Sequence, residues 1–367
     1  MTHTNMDLAI HVVPYHANCI LPLDQFMNKH TTHVATNRKA IPSRQAACEL
    51  VCIGIAGTTL LTDEAQLLAD GVRHVILFAR NYQSPAQLTQ LTAAIRKAAG
   101  ANVLISVDQE GGRVLRFCGD PFPNQPSARA LATDGEQAVA RWTRDTALAL
   151  RACGVNMNLA PVLDVDSNPK NPVIGDRSFS HDANVVAQLG VACVRAMQSC
   201  GVAACGKHFP GHGDTDMDSH FDLPKLPHAL ARLEQLEFVP FRAAIQANIA
   251  AIMSAHVVFE AIDSEVPGTL STKVITGLLR NALGFDGLIL TDDLEMKAVA
   301  DRFEIGDAAV RAVTAGCDTL LVCKNLDVQH QAIEALSRAI ESGQIARERL
   351  AHSRRRLDKV LNLVTTA

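Results

Sequence analysis

The chain has 367 residues, 48% of them apolar and 20% charged, and 34 Lys and Arg against 38 Asp and Glu leave a net charge of −4. That composition supplies one large core and excludes a disordered or collagen-like chain. It also argues against nucleic acid as a partner. The longest basic run, Arg354-Arg355-Arg356, sits among apolar residues at helical spacing and reads as a solvated helix face.

No apolar stretch approaches the roughly 20 residues that span a bilayer, so no membrane partner is expected. The first forty-odd residues show no basic segment followed by an apolar one, so no signal peptide is expected. They have no clear periodicity either, and residues 1–47 are expected to form an irregular extension. Ten cysteines are scattered along the chain without a CxxC pair, and Cys52, Cys193, Cys205 and Cys317 fall inside apolar runs. Reduced, buried thiols in a cytoplasm account for this pattern better than disulfides.

From about residue 48, short β-rich runs alternate with amphipathic helical stretches. The runs are Val51–Ala56, His74–Phe78, Val103–Val107, Val155–Leu159, Val202–Cys205, Ala251–Ser254, Gly287–Leu290 and Thr319–Val322. Between them, Ser84-Pro85 opens a helix through Ala99, and Val186, Leu189, Cys193, Met197 and Cys200 recur at helical spacing. Near-continuous apolar strands with intervening helices predict a parallel sheet covered on both faces, and eight such units predict closure into a (β/α)₈ barrel over residues 48–367. A closing helix over about 344–364 is expected to cover the outside of the barrel.

In such a barrel the active site lies on the loops that follow the strands. Ionisable residues gather there: Asp108, Glu110, Arg113 and Arg116 after the third run, Asp164, Asp166 and Arg177 after the fourth, Lys207 to Asp214 after the fifth, His256 after the sixth, and Asp292, Asp293 and Glu295 after the seventh. The densest stretch is His208 to Asp222. One reading is a metal site, but the Gly- and Pro-interrupted spacing matches no rigid ligand pattern, so no metal is expected. The other is a loop that supplies a proton-transferring histidine, for which Asp218-Ser219-His220 holds the parts.

Asp292 ends an apolar run and is placed to attack a carbon held above the barrel mouth, whereas Asp293 suits the N-cap of the next helix. Adjacent carboxylates also fit a mechanism in which a substrate acetamide is the nucleophile, and spacing leaves both open. Lys207, Arg116 and Arg177 are donors suited to sugar hydroxyls or a carboxylate. Glu110, followed by Gly111-Gly112, reads as a carboxylate that braces a tight turn.

The segments LFARNY (77–82), SVDQEGGRVLRF (106–117), NLAPVLDVD (158–166), GDRSF (175–179), GKHFPGHGDTDMDSH (206–220) and LILTDDLEM (288–296) resemble, in order, the single-domain bacterial β-N-acetylglucosaminidases of glycoside hydrolase family three. The resemblance implies a (β/α)₈ barrel and a retaining exo-β-N-acetylglucosaminidase without a cofactor. It implies Asp292 as nucleophile and His220, assisted by Asp218, as general acid/base. Asp108, Arg116, Arg177, Lys207 and His208 would then bind the sugar. A cytoplasmic monomer that releases GlcNAc from 1,6-anhydro-MurNAc muropeptides during cell-wall recycling is the corresponding expectation. A β-glucosidase or phosphorylase on the same scaffold, and a metal-dependent hydrolase using residues 208–222, are the alternatives.

Overall fold

The computed structural model describes residues 41–100, 102–216 and 223–366. Eight parallel strands close into the expected (β/α)₈ barrel: β1 Val51–Gly54, β2 His74–Leu77, β3 Leu104–Val107, β4 Met157–Asn158, β5 Ala203–Phe209, β6 Ala251–Ser254, β7 Leu288–Asp293 and β8 Thr319–Val322. Each pairs with its neighbours in sequence, and β1 completes the ring against β8 with Val51 opposite Leu320. A separate two-stranded ribbon joins Lys225–Leu226 to Val258–Phe259.

Period-two alternation sorts the strand residues into two cores. Cys52, Ile76, Leu104, Met157, Cys205, Met253, Leu290 and Leu321 fill the barrel. Ile53, Val75, Ile105, Ala204, Ile252, Ile289 and Val322 pack outward under the helices. Helix starts follow local chemistry. The Ser84 hydroxyl accepts from the Gln87 N–H at 3.2 Å with Pro85 in the first turn, and Asp182 caps Ala183–Gln198 in the same way. The latter helix buries Val186, Leu189, Cys193 and Met197. Nine described cysteines are free thiols, and all but Cys118 are buried. No described helix is long and apolar enough to cross a membrane.

The chain ends differ from expectation. The helix Ser43–Cys48 precedes β1 and buries Ala46, Ala47 and Cys48, while residues 1–40 lie outside the described residues. The closing helix, Arg347–Thr366, does not lie along the barrel's outside. Leu357, Val360 and Leu361 join the inner core, so this helix seals the end at which the strands begin. An open barrel end would leave apolar interior facing water, and this helix removes that exposure.

Its arginines also depart from the solvated-face reading. Of the run 354–356, Arg354 pairs with Glu49, Arg356 pairs with Asp286 and Asp318, and Arg355 is exposed. Asp318, with a fully buried side chain, also receives Arg280, Arg349 at 3.1 Å, the Ser353 hydroxyl at 2.8 Å and the Ile289 N–H at 3.0 Å. These partners hold its carboxyl below the usual range despite burial. Removing one member of a buried pair strands the others, at a cost of about 3–5 kcal/mol. Asp318→Ala should lower unfolding free energy in urea by that order. Arg338→Ala, whose Glu334 pair is exposed, should change it by less than about 1 kcal/mol. Equal, small effects would remove Asp318 from its place as the anchor of the closing helix.

Candidate active site

The barrel's opposite end, where the strands finish, carries a cavity of about 280 Å³. Its floor is the top of the inner core, including Ile76, Leu159, Met253 and Leu321. The next inward positions along the strands are no longer apolar. After Leu104 and Ser106 comes Asp108, after Cys205 comes Lys207, and after Leu290 comes Asp292. The alternation that builds the core therefore also aims the ionisable side chains.

Two strands depart from that alternation at the site. From Gly206 to Phe209, β5 takes three steps against the two from Ile252 to Ser254 on β6. From Leu290 to Asp293, β7 takes three steps against the two from Thr319 to Leu321 on β8. Each is a bulge of one extra residue, a device that re-aims side chains. Consecutive residues thus share the cavity wall: Lys207 with His208, and Asp292 with Asp293.

Lys207 is 2% exposed, and its ammonium sits 2.6 Å from both Asp108 Oδ1 and Glu110 Oε1. Arg177 grips Glu110 with two hydrogen bonds of 2.8 Å, and Arg116 stands 3.6 Å from Asp108. Burial favours the neutral forms, but the partners win. Arg177 and then Lys207 hold the Glu110 carboxyl far below the carboxylate range, while Asp108 and Glu110 raise the Lys207 ammonium. The turn after Glu110 is braced by backbone instead, since the Glu110 and Gly111 N–H groups donate to the Val114 carbonyl. The turn-bracing reading of the Glu110 side chain is therefore corrected.

His208 is oriented by Asp164, whose side chain is fully buried. The imidazole Nδ1 lies 2.7 Å from Asp164 Oδ2, and the His208 and His212 N–H groups also donate to that carboxylate. Burial would raise the Asp164 pKa, but His208 outweighs it and keeps the group ionised. An ionised carboxylate only accepts, so Nδ1 carries a proton and Nε2 is left for the cavity that His208 lines.

Asp292 is partly buried and its Oδ1 accepts the Asp293 N–H at 2.8 Å. Burial pushes its pKa up, but His208 and then His256 overcome that and hold the carboxyl below its ordinary value. Asp293 goes the other way. Burial, with Glu295 and Asp292 nearby, raises it to about 6. Nor is it a helix N-cap. Its Oδ1 accepts from Glu295 and Cys323, and Met296 stands at the N-cap of Lys297–Ala300.

The cavity thus brings together Asp108, Arg116, Arg177, Lys207, His208 and Asp292, six of the eight residues singled out from sequence. Asp218 and His220 lie outside the described residues. Among the described residues, no three His, Cys, Asp or Glu side chains are grouped to hold a metal ion. Sequence reasoning missed the part of Asp164 and of the Glu110 carboxylate. The only signal for Asp164 was a lone acid inside the apolar run Leu159–Val165.

The Asp293 shift predicts a pH effect of definite sign. Between about pH 4 and 6 the folded chain keeps a proton there that the unfolded chain has lost, so stability falls as pH rises through that window. The full difference is about 3 kcal/mol at roughly 1.4 kcal/mol per unit. Asp293→Asn keeps the Oδ1 acceptor and removes the charge. Its urea stability relative to the parent should therefore be higher at pH 7.5 than at pH 4 by up to that amount. A difference independent of pH would show that Asp293 does not titrate in this window.

Comparison with known proteins identifies the family. The family described as "Glycosyl hydrolase family 3 N terminal domain" matches residues 48–360. A β-hexosaminidase of Nitrosomonas eutropha is 41% identical over 310 residues, 82% of this chain and 88% of that one. A family 3 β-N-acetylglucosaminidase structure from Paenibacillus sp. str. FPU-7 superposes with a TM-score of 0.87 at 43% identity, covering 89% of this chain and 63% of its own. NagZ from Neisseria gonorrhoeae, solved with N-trifluoroacetyl-D-glucosamine, gives a TM-score of 0.71 at 32% identity over 86% of this chain and 98% of its own. An ionised carboxylate at the end of β7, walled by paired charges on a (β/α)₈ barrel, is thus found in a chain that belongs to glycosyl hydrolase family 3 and is an enzyme of the β-hexosaminidase type.

Proposed function

We propose that this hydrolase is a retaining exo-β-N-acetylglucosaminidase that removes a terminal β-GlcNAc from muropeptides ending in 1,6-anhydro-MurNAc, as a cytoplasmic monomer and without metal or cofactor. The observation that carries the reading is Asp292, a partly buried carboxylate on the cavity wall that His208 and His256 hold ionised. A nucleophile needs that charge before substrate arrives. The relatives named for β-hexosaminidase or β-N-acetylglucosaminidase activity support the choice of sugar. So does the relative solved with a glucosamine derivative.

In this mechanism Asp108, Arg116, Lys207, His208 and Arg177 hold the sugar hydroxyls and the 2-acetamido group. Asp292 attacks the anomeric carbon as the glycosidic C–O bond breaks, and His220 gives its proton to the departing oxygen. A glycosyl ester forms through an oxocarbenium-like transition state. His220 then takes a proton from water, whose oxygen attacks the same carbon and restores the Asp292 carboxylate. Two inversions leave the configuration retained. An imidazole suits both proton steps because its pKa lies near neutrality, and Asp218 would set its orientation.

A 2-fluoro or 5-fluoro activated GlcNAc analogue should trap an adduct on the peptide containing Asp292, and Asp292→Asn should lose nearly all turnover. An adduct on Asp293, or tight thiazoline inhibition without any adduct, would overturn the covalent route in favour of the acetamide nucleophile. Turnover of p-nitrophenyl β-GlcNAc should exceed that of the β-glucoside and be indifferent to EDTA and to phosphate. A phosphate requirement would make the enzyme a phosphorylase. His220→Ala should lose about 10²- to 10⁴-fold in kcat/KM on a disaccharide and little on a 2,4-dinitrophenyl glycoside, whose leaving group needs no proton. An equal loss on both would move the acid/base role elsewhere.

A further inference from the structure

His256 takes no step in the mechanism above, yet it is 1% exposed and stands behind the cavity wall, next to β7. The strand that leads to it, β6, ends at Ser254. Its ladder with β7 pairs Ala251 with Leu288, Ile252 with Ile289 and Met253 with Leu290, and stops there. The same register, carried on, sets His256 opposite Asp293. A side chain makes that rung. His256 Nε2 lies 3.1 Å from the Asp293 carbonyl oxygen, at the ladder's own offset of 37 residues. A carbonyl oxygen only accepts, so Nε2 carries a proton and donates it.

The other ring nitrogen is held as well. Nδ1 is 2.8 Å from the Thr269 hydroxyl, which lies 2.9 Å from Ser254 Oγ and 3.0 Å from the Ala255 carbonyl. Ser254 and Thr269 are fully buried, so the imidazole is gripped at both ends inside the protein. On the far side of β7, the Leu294 N–H donates to the Leu321 carbonyl at 2.9 Å, and Asp293 Oδ1 accepts the Cys323 N–H at 3.3 Å. Asp293 is therefore clamped from both neighbouring strands, and its N–H caps Asp292 Oδ1. The bulge between Leu290 and Asp293 disrupts the ladder to β8 where this aim is set. Side chains have to supply what regular rungs would otherwise fix.

We propose that His256 is the positioning residue of the nucleophile: by donating to the Asp293 carbonyl it extends the pairing of β6 with β7 past Leu290 and fixes the aim of the Asp292 carboxylate. The inference rests on the nucleophile role proposed for Asp292. His256 does not touch the sugar in this account, and it acts only through the main chain of β7. A hydrogen bond fixes a position more sharply than apolar contact does, because it weakens steeply with distance and angle. A displacement of about 1 Å in a reacting group can cost about a hundredfold in rate. Asp292 attacks in the first step and departs in the second, so its aim matters whatever the leaving group.

The test is made on the full chain with His256→Ala, His256→Gln and Thr269→Val, each compared with the parent. Three quantities are measured: the rate of covalent trapping by a 5-fluoro activated GlcNAc analogue, kcat/KM on 2,4-dinitrophenyl β-GlcNAc and on a GlcNAc disaccharide, and the Ki of free GlcNAc. His256→Ala should lose about tenfold to a hundredfold in trapping rate and, equally, in kcat/KM on both substrates. The Ki of GlcNAc should stay within about threefold of the parent, because the groups that hold the sugar are untouched. His256→Gln keeps an N–H donor near the place of Nε2 and should recover most of the loss. Thr269→Val removes one hydrogen bond from the ring and should lose about fivefold. An unchanged trapping rate, a Ki that rises in step with the lost rate, or His256→Gln no better than His256→Ala would overturn the inference. An adduct of the parent on a residue other than Asp292 would instead overturn the nucleophile role on which it rests. Should His256→Ala fail to fold, Thr269→Val and His256→Gln carry the comparison: trapping at the parent's rate by Thr269→Val, or a loss beyond about tenfold by His256→Gln, would then overturn the inference.

Discussion

An ammonium ion buried in protein must have opposite charge beside it, and Lys207 imposes that requirement on the whole upper end of the barrel. Its two carboxylates come from the loop that follows β3, so charge pairing links β5 to a part of the barrel that is not its neighbour in the ring. Glu110 in turn needs Arg177, which belongs to the loop after β4. Lys207 and Arg177 against Asp108 and Glu110 make a neutral set of four, with Arg116 as a further cation beside Asp108. Asp292 is outside this set. Its charge is stabilised chiefly by imidazoles rather than by a fixed ion pair, so it stays ionised without being locked to a partner. That is the electrostatic condition a carboxylate needs to exchange a neighbour's stabilisation for a bond to carbon.

The two bulges explain why the wall is denser than regular strands allow. Regular β geometry gives one inward residue in two, and each bulge converts that to two in succession. His208 is brought beside Lys207 in this way, and from there it meets Asp164. The same device puts the raised Asp293 beside the depressed Asp292. Two adjacent carboxyls of one strand therefore titrate in opposite directions because different elements surround them.

The fold was legible because each strand is a short apolar run and each rim carries polar residues, two features that survive in one dimension. Six site residues were legible for the same reason. The ends of β5 and β7 were not, since polar residues such as Lys207 and Asp292 read as loop when they belong to the strands. Bulges leave no mark in residue type. The part of Asp164 depends on the meeting of two distant loops, which periodicity does not register. Arg354 and Arg356 looked solvated because charge at helical spacing usually is. Their partners Glu49 and Asp318 lie some 305 and 38 positions away and are met only when the last helix crosses the strand starts.

Closure of the ring by β1 against β8 has a consequence for how the chain is made. The partner of Val51 is Leu320, so the first strand waits for nearly the whole barrel to be synthesised. At about 5–20 residues per second that delay is on the order of tens of seconds. Throughout it, the outer edge of β1 and the edge of whichever strand is newest have unpaired N–H and C=O groups, the template on which other nascent chains can add. The inner core is also without its Leu357, Val360 and Leu361 lid until the final helix leaves the ribosome. The finished molecule has no barrel edge to protect, and its most aggregation-prone period falls before the last strand and helix emerge.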